Sequence, residues 1–125
     1  MEKLILKAII EKWNVDNYLR TVPLYYVKSP EKNVPFPFCH FYLSEPSNSY
    51  TFAGAVKNYT LQFNIYDTNI LGVLDITKKI DEVFDLKILA IENMNGYIIR
   101  KESETETFED DKTFQSTMFF RFSAN

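Results

Sequence analysis

The sequence predicts an α+β fold: an antiparallel β-sheet of about four to five strands, with an N-terminal helix and a second helix packed on one face. Three observations carry that prediction. Tyr59, Leu61, Phe63 and Ile65 alternate with Thr60, Gln62 and Asn64, the period of two that gives a strand one core face. The stretch 59–67 runs directly into a helical pattern, in which Val73, Ile76, Ile80, Val83 and Phe84 recur at three- and four-residue steps. Phe114, Ser116, Met118, Phe120 and Phe122 then alternate with Gln115, Thr117, Phe119 and Arg121, a second amphipathic strand. At 125 residues the chain reads as a single domain, 1–125, long enough to bury a core without disulfides or metals.

The elements follow in order. Residues 2–13 predict an amphipathic helix: Leu6, Ile9, Ile10 and Trp13 share a stripe that Leu4, Ile5 and Ala8 widen. Asn14, Asp16 and Asn17 are turn formers, and Pro23 opens a short β-prone segment, 24–27. Pro30, Pro35 and Pro37 make 29–37 an extended loop. Residues 38–45 read as a strand. Phe38, His40 and Tyr42 lie on one side and Cys39, Phe41 and Leu43 on the other, so it is buried on both faces or offers one to a partner. Residues 46–54 are polar and read as a projecting loop. Asn69 is the expected N-cap of the second helix. Residues 97–107 predict a long strand, polar on both sides after Ile99, and Glu109, Asp110, Asp111 and Lys112 turn the chain into the last strand.

Composition narrows the function. The chain carries a net charge of −3 and has a pI near 5.2, so it lacks the basic footprint that holds nucleic acid by its phosphates. Eleven Phe and eight Tyr favour strands and surfaces where rings meet a neighbour. An RNA-recognition sheet would need exposed rings with basic residues around them, and Tyr42, Phe63 and Phe120 are expected in the core instead. Cys39 stands alone, so no internal disulfide forms. The apolar run near the start is short and broken by Lys7, which excludes a membrane span there and leaves the cytoplasm as the expected site of synthesis.

No residue cluster announces catalysis. Cys39 and His40 are neighbours on a strand, so their side chains point to opposite faces and cannot share a metal or form a nucleophile pair. No second His or Cys completes a zinc set. Glycines are too few for a phosphate-binding loop. No catalytic residue, metal site or cofactor is expected. Glu102, Glu104 and Glu106 have equal parity, which predicts three like charges on one face of one strand. Two readings stand: an exposed edge protected against strand-to-strand aggregation, or a surface kept acidic so that DNA passes without sticking.

With this layout the chain resembles the phage tail terminator and tail-completion proteins that join head to tail in long-tailed phages, especially the short versions in phages and prophages of Gram-positive bacteria. The matching pieces are the N-terminal helix, Pro37-Phe38-Cys39-His40-Phe41-Tyr42-Leu43-Ser44-Glu45 with its polar loop, and Tyr59-Thr60-Leu61-Gln62-Phe63-Asn64-Ile65-Tyr66-Asp67. The helix 73–84 and the strand 113–122 complete the match. The resemblance implies a structural virion component, without catalysis or cofactor: a ring, commonly a hexamer, that caps the finished tail tube. Its implied partners are its own copies, the tail-tube protein and the head-completion or connector protein. DNA passes through without sequence-specific binding, and the implied location is the tail and neck of the virion. Interface or lumen candidates are Glu102, Glu104, Glu106, Glu109, Asp110, Asp111, Tyr50 and Phe52. The competing reading is a small α+β ligand-binding or catalytic domain using surface carboxylates, which predicts a deep pocket with convergent polar groups.

Overall fold

The computed structural model describes residues 2–27, 35–44, 47–51, 54–91, 96–110 and 113–124, with side chains throughout except at 2, 47–51, 54–56, 107–110 and 124. Two α-helices pack on a mostly antiparallel sheet. Helix α1 spans Glu2–Val15 and α2 spans Ile70–Phe84. The strands are β1 Leu24–Tyr26, β2 Phe38–Leu43, β3 Ser47–Thr51, β4 Gly54–Asp67, β5 Ile88–Leu89, β6 Tyr97–Ile98, β7 Arg100–Asp110 and β8 Thr113–Ala124. The main sheet runs β1-β2-β4-β8-β7, with β3 paired to β4 as well, and β5 and β6 form a separate ribbon. Among the described residues only the short β1–β2 pairing is parallel.

The alternation along β4 sets the core. Leu61 lies opposite Phe120, Phe63 opposite Met118 and Tyr59 opposite Phe122, and all six are buried. On its other side β4 brings Phe63 opposite Phe41 and Ile65 opposite Cys39. Both helices cover this face. Trp13 of α1 and Phe84 of α2 each reach the ring of Phe63, with centroids 5.6 and 5.1 Å away. Phe41 and Phe120 close the group at 6.4 and 5.9 Å. The indole N–H of Trp13 donates to the Val22 carbonyl at 3.0 Å, so even the buried polar atom is satisfied.

Helix α2 starts where expected. The Asn69 side chain accepts from the Leu71 N–H at 2.9 Å, which satisfies one orphan donor of the first turn. Asp67 accepts from the Thr68 N–H at 2.7 Å, and its other carboxylate oxygen lies against Gly72, where a Cβ would collide with it. An acidic group at a helix N-terminus is favoured by the macrodipole. At the opposite end Leu86 adopts a positive φ of 57° while its N–H donates to the Ile99 carbonyl at 2.8 Å.

Four sequence expectations need correction. Residues 46–54 are not simply a loop: 47–51 form β3, which pairs with β4 from Ser47↔Asn58 to Thr51↔Gly54. The central strand is therefore fourteen residues long, because polar Ser and Asn can pair through their backbones as well as apolar residues do. The strand expected over 97–107 divides at Ile99, whose N–H and C=O bond to Lys87 and Leu86; 97–98 join β5 and β7 begins at Arg100. Glu109 and Asp110 belong to β7, with Asp110 opposite Thr113, rather than to a turn. Tyr42 lies opposite Gln62, on the face away from the helices, and is not core. The Pro-rich loop falls mostly outside the described residues; the Phe36–Pro37 peptide is cis.

Truncating Phe63 to Ala should cost about 3–5 kcal/mol in urea denaturation, because it removes contacts to both helices and both neighbouring strands at once. Leu86→Gly should raise the melting temperature, since the exposed leucine pays on the order of 1 kcal/mol for its left-handed conformation and glycine pays none of it.

Candidate functional site

Among the described residues, no helix covers the second face of the sheet. Pairing in register brings Phe38 opposite Tyr66, His40 opposite Asn64 and Tyr42 opposite Gln62. Further along, Tyr66 meets Gln115, Asn64 meets Thr117 and Gln62 meets Phe119. Tyr25 extends the row beside His40. The rings touch one another: Phe38 stacks on Tyr66 at 5.0 Å, His40 meets Tyr66 edge-on at 5.3 Å, and Tyr25 meets His40 at 6.2 Å. Phe36 adds a further contact to Phe38 at 5.3 Å.

This face is aromatic over β1, β2, β4 and the middle of β8, and its charged residues, Arg100, Arg121 and Glu102, lie together at the β8–β7 side. Burial lowers the pKa of His40, so its imidazole is neutral at neutral pH. The amides are already engaged along their own strands. Gln62 Nε2 donates to Asn64 Oδ1 at 3.0 Å, and Gln115 Nε2 donates to Thr117 Oγ1 at 3.2 Å. Polar groups that carry their hydrogen bonds with them cost less to remove from water. Aromatic rings, depleted charge and satisfied amides are the makeup of a protein–protein interface core.

The acidic strand behaves differently from its parity expectation. A register shift between Lys101 and Ser103 falls at Glu102. Glu104 and Glu106 lie opposite Met118 and Ser116, on the helix side, whereas Glu102 pairs with Arg121, which is across from Thr60 on the open face. The Glu102 Oε1–Arg121 Nε distance is 2.8 Å. A bulge adds one residue, so the three glutamates no longer share a face.

Lys101 is the cation of a small carboxylate group. Its Nζ lies 2.9 Å from both Asp81 and Glu104, while its backbone N–H donates to Asp85 Oδ1 at 2.9 Å. Burial alone would lower the Lys101 pKa, but the hydrogen bonds to Glu104 and Asp81 outweigh it and hold the ammonium above its ordinary range. Asp81 Oδ1 is buried without a hydrogen-bond partner. Glu106 hydrogen-bonds Glu104, and that contact, with some burial and the like charge, raises its carboxyl.

The remaining site candidates stand as follows. Glu109 and Asp110 lie on the β7 backbone and Tyr50 on β3; their side chains, with Asp111 and Phe52, are outside the described set. Cys39 is fully buried on the helix side and burial pushes its thiol up, while His40 faces the other way, as strand alternation requires. Among the described residues, no three His, Cys, Asp or Glu come together to hold a metal. An open cleft of about 450 Å³ lies between the ends of α1 and α2. Its polar groups are committed internally: Lys12 Nζ donates to the Ile88 carbonyl, and Asp16 accepts from the N–H groups of Tyr18 and Leu19. Sequence reasoning set Phe119 apart from the core row of its strand but did not single out Tyr66 or Tyr25; for Tyr66 the signal available was its parity with Gln62 and Asn64 in β4, while Tyr25 joins the row only through its pairing with His40.

No protein-family profile matches the chain, and no curated protein matches it by sequence. Its fold does match solved structures. A chain from the virion of a native gene transfer agent particle superposes with a TM-score of 0.75 at 10% identity, covering 94% of this chain and 91% of that one. The bacteriophage SPP1 gp17 protein superposes with a TM-score of 0.64 at 21% identity, covering 98% of this chain and 90% of that one. The likeness spans nearly the whole of each chain, so the fold is shared in full and not through one motif.

Glu106→Gln should raise the melting temperature by roughly 2 °C at neutral pH. The sign follows from the raised carboxyl. Protonated Glu106 is the better guest of the fold, so stability is present below the ordinary glutamate range and lost as pH rises through the folded value. The gap between variant and parent should close when melting is repeated at acid pH, where both side chains are neutral.

Proposed function

We infer that this chain is a structural component of a phage-type particle, acting at the neck as a ring that caps the completed tail tube and joins tail to head. The full-length fold likeness to chains of a gene transfer agent virion and of a bacteriophage supports a particle role. The observation that carries the reading on this chain's own residues is the open sheet face. It presents Tyr25, Phe38, His40, Tyr42, Tyr66 and Phe119 around self-satisfied amides, a surface suited to protein contact and not to a reacting small molecule. No catalytic role is assigned to any residue.

A ring requires a heterologous contact repeated by a closing rotation. In this proposal the open face supplies one of the two patches, the copies number six, and the tail-tube protein and the head connector bind the two rims. In the same proposal acidic residues line the channel, where like charge repels the DNA backbone and lets it pass without sequence-specific binding. The protein resides in the virion after synthesis in its bacterial host.

Light scattering and negative-stain electron microscopy at high protein concentration, with and without purified tail tubes, test the reading. Rings of uniform diameter, free or seated on tube ends, are expected. The double variant Gln62→Lys/Phe119→Lys should stay folded by circular dichroism yet form no rings, because it places unpaired charges in the middle of the contact. A protein that remains monomeric even with tail tubes present would overturn the ring.

A further inference from the structure

Strand β7 ends the main sheet: among the described residues it pairs with β8 on one side and with no strand on the other. Its first turn of edge is closed, because the Lys101 N–H is taken by Asp85 Oδ1. From Ser103 onward the pairing with β8 is regular up to Phe108 and is bounded by register shifts at each end. A regular strand edge presents a row of backbone donors and acceptors, the template on which an extended segment adds by β-augmentation. Ser103 and Thr105 line its open-face side, both exposed, and Thr is a favoured strand residue.

The other side of the same edge is short of positive charge. Asp81 and Glu104 share the ammonium of Lys101, Asp85 takes the Lys101 backbone N–H, and Glu106 hydrogen-bonds Glu104. Asp81 Oδ1 is buried without a partner, and Glu106 is crowded by Glu104. An added strand places its own side chains beside these two glutamates at every second residue, and opposite charges so placed stabilise the pairing.

We propose that the edge of β7 over residues 103–107 binds an extended segment of a different protein, one that alternates Lys or Arg with Thr or small polar residues. A second copy of this chain fits less well. Its other edge strands, Leu24–Tyr26 and Ser47–Thr51, contain no Lys or Arg. The occupant therefore brings its cations from another chain, and the acidic balance of this protein, −3 overall, assists the encounter.

The probe is a short capped peptide in which Thr and Lys alternate, added to the full-length protein and followed by fluorescence anisotropy and amide hydrogen exchange. Binding with slowed exchange confined to the amides of 103–107 is expected. The double variant Glu104→Gln/Glu106→Gln, shown to be folded by its melting curve, should bind about tenfold more weakly. A peptide with the same charges but alternate backbone nitrogens methylated should not bind, which separates strand pairing from simple charge attraction. Equal binding of that peptide or of a Thr-Glu peptide, or protection elsewhere, overturns the proposal. So does protection of 103–107 by the protein's own association in the absence of peptide. Ring formation is scored independently by microscopy, so a failed peptide experiment and a failed ring are distinguishable.

Discussion

Phe63 is the side chain through which the layers of this protein hold together. It sits at the centre of the central strand and touches one ring from each helix and one from each flanking strand. Its position follows from alternation: an odd-numbered residue of β4 must point at the helices once Leu61 and Ile65 do. A ring of that size also sets the spacing between helix layer and sheet, because Trp13 and Phe84 can approach only to ring-contact distance. The helices are thus positioned by one residue that belongs to neither.

Spending all the helices on one face has a cost on the other. An antiparallel sheet tolerates a solvated face when that face is polar, yet here it carries a chain of aromatic contacts from Phe36 to Tyr66. The rings shelter one another, and the amides of Gln62 and Gln115 are tied down by their strand neighbours. Such a face is stable in the free chain and inexpensive to desolvate.

Much of this was legible in the residues. The period of two in β4 and β8 and the helical spacing of α2, with Asn69 as its cap, all depend on local patterning, which the chain states openly. The alternation of Phe38, His40 and Tyr42 with Cys39, Phe41 and Leu43 likewise separated the two faces of β2. What was hidden depended on pairing. Ser47 to Thr51 has no apolar alternation, and only the backbone partnership with β4 makes it a strand. The shift at Glu102 is a property of two strands together, so parity within one strand misassigned that glutamate. The exit of α2 carries Leu86 where a glycine would have signalled the stop.

Strand order carries a consequence for how the molecule comes together. The strand that lies between β4 and β7 is β8, which follows both of them in the chain. Until β8 arrives, β4 has only β2 and β3 as neighbours, and eleven residues from Lys57 to Asp67 lack their later partners. The sheet must close over long sequence separations, and loop-closure entropy makes such pairing slow. During that interval the row that will carry Tyr59, Leu61 and Phe63 against β8 is an open template for wrong strands. Arrival of β8 therefore completes the core face and covers the long free edge of β4 in one pairing, leaving β7 in its place at the border of the sheet.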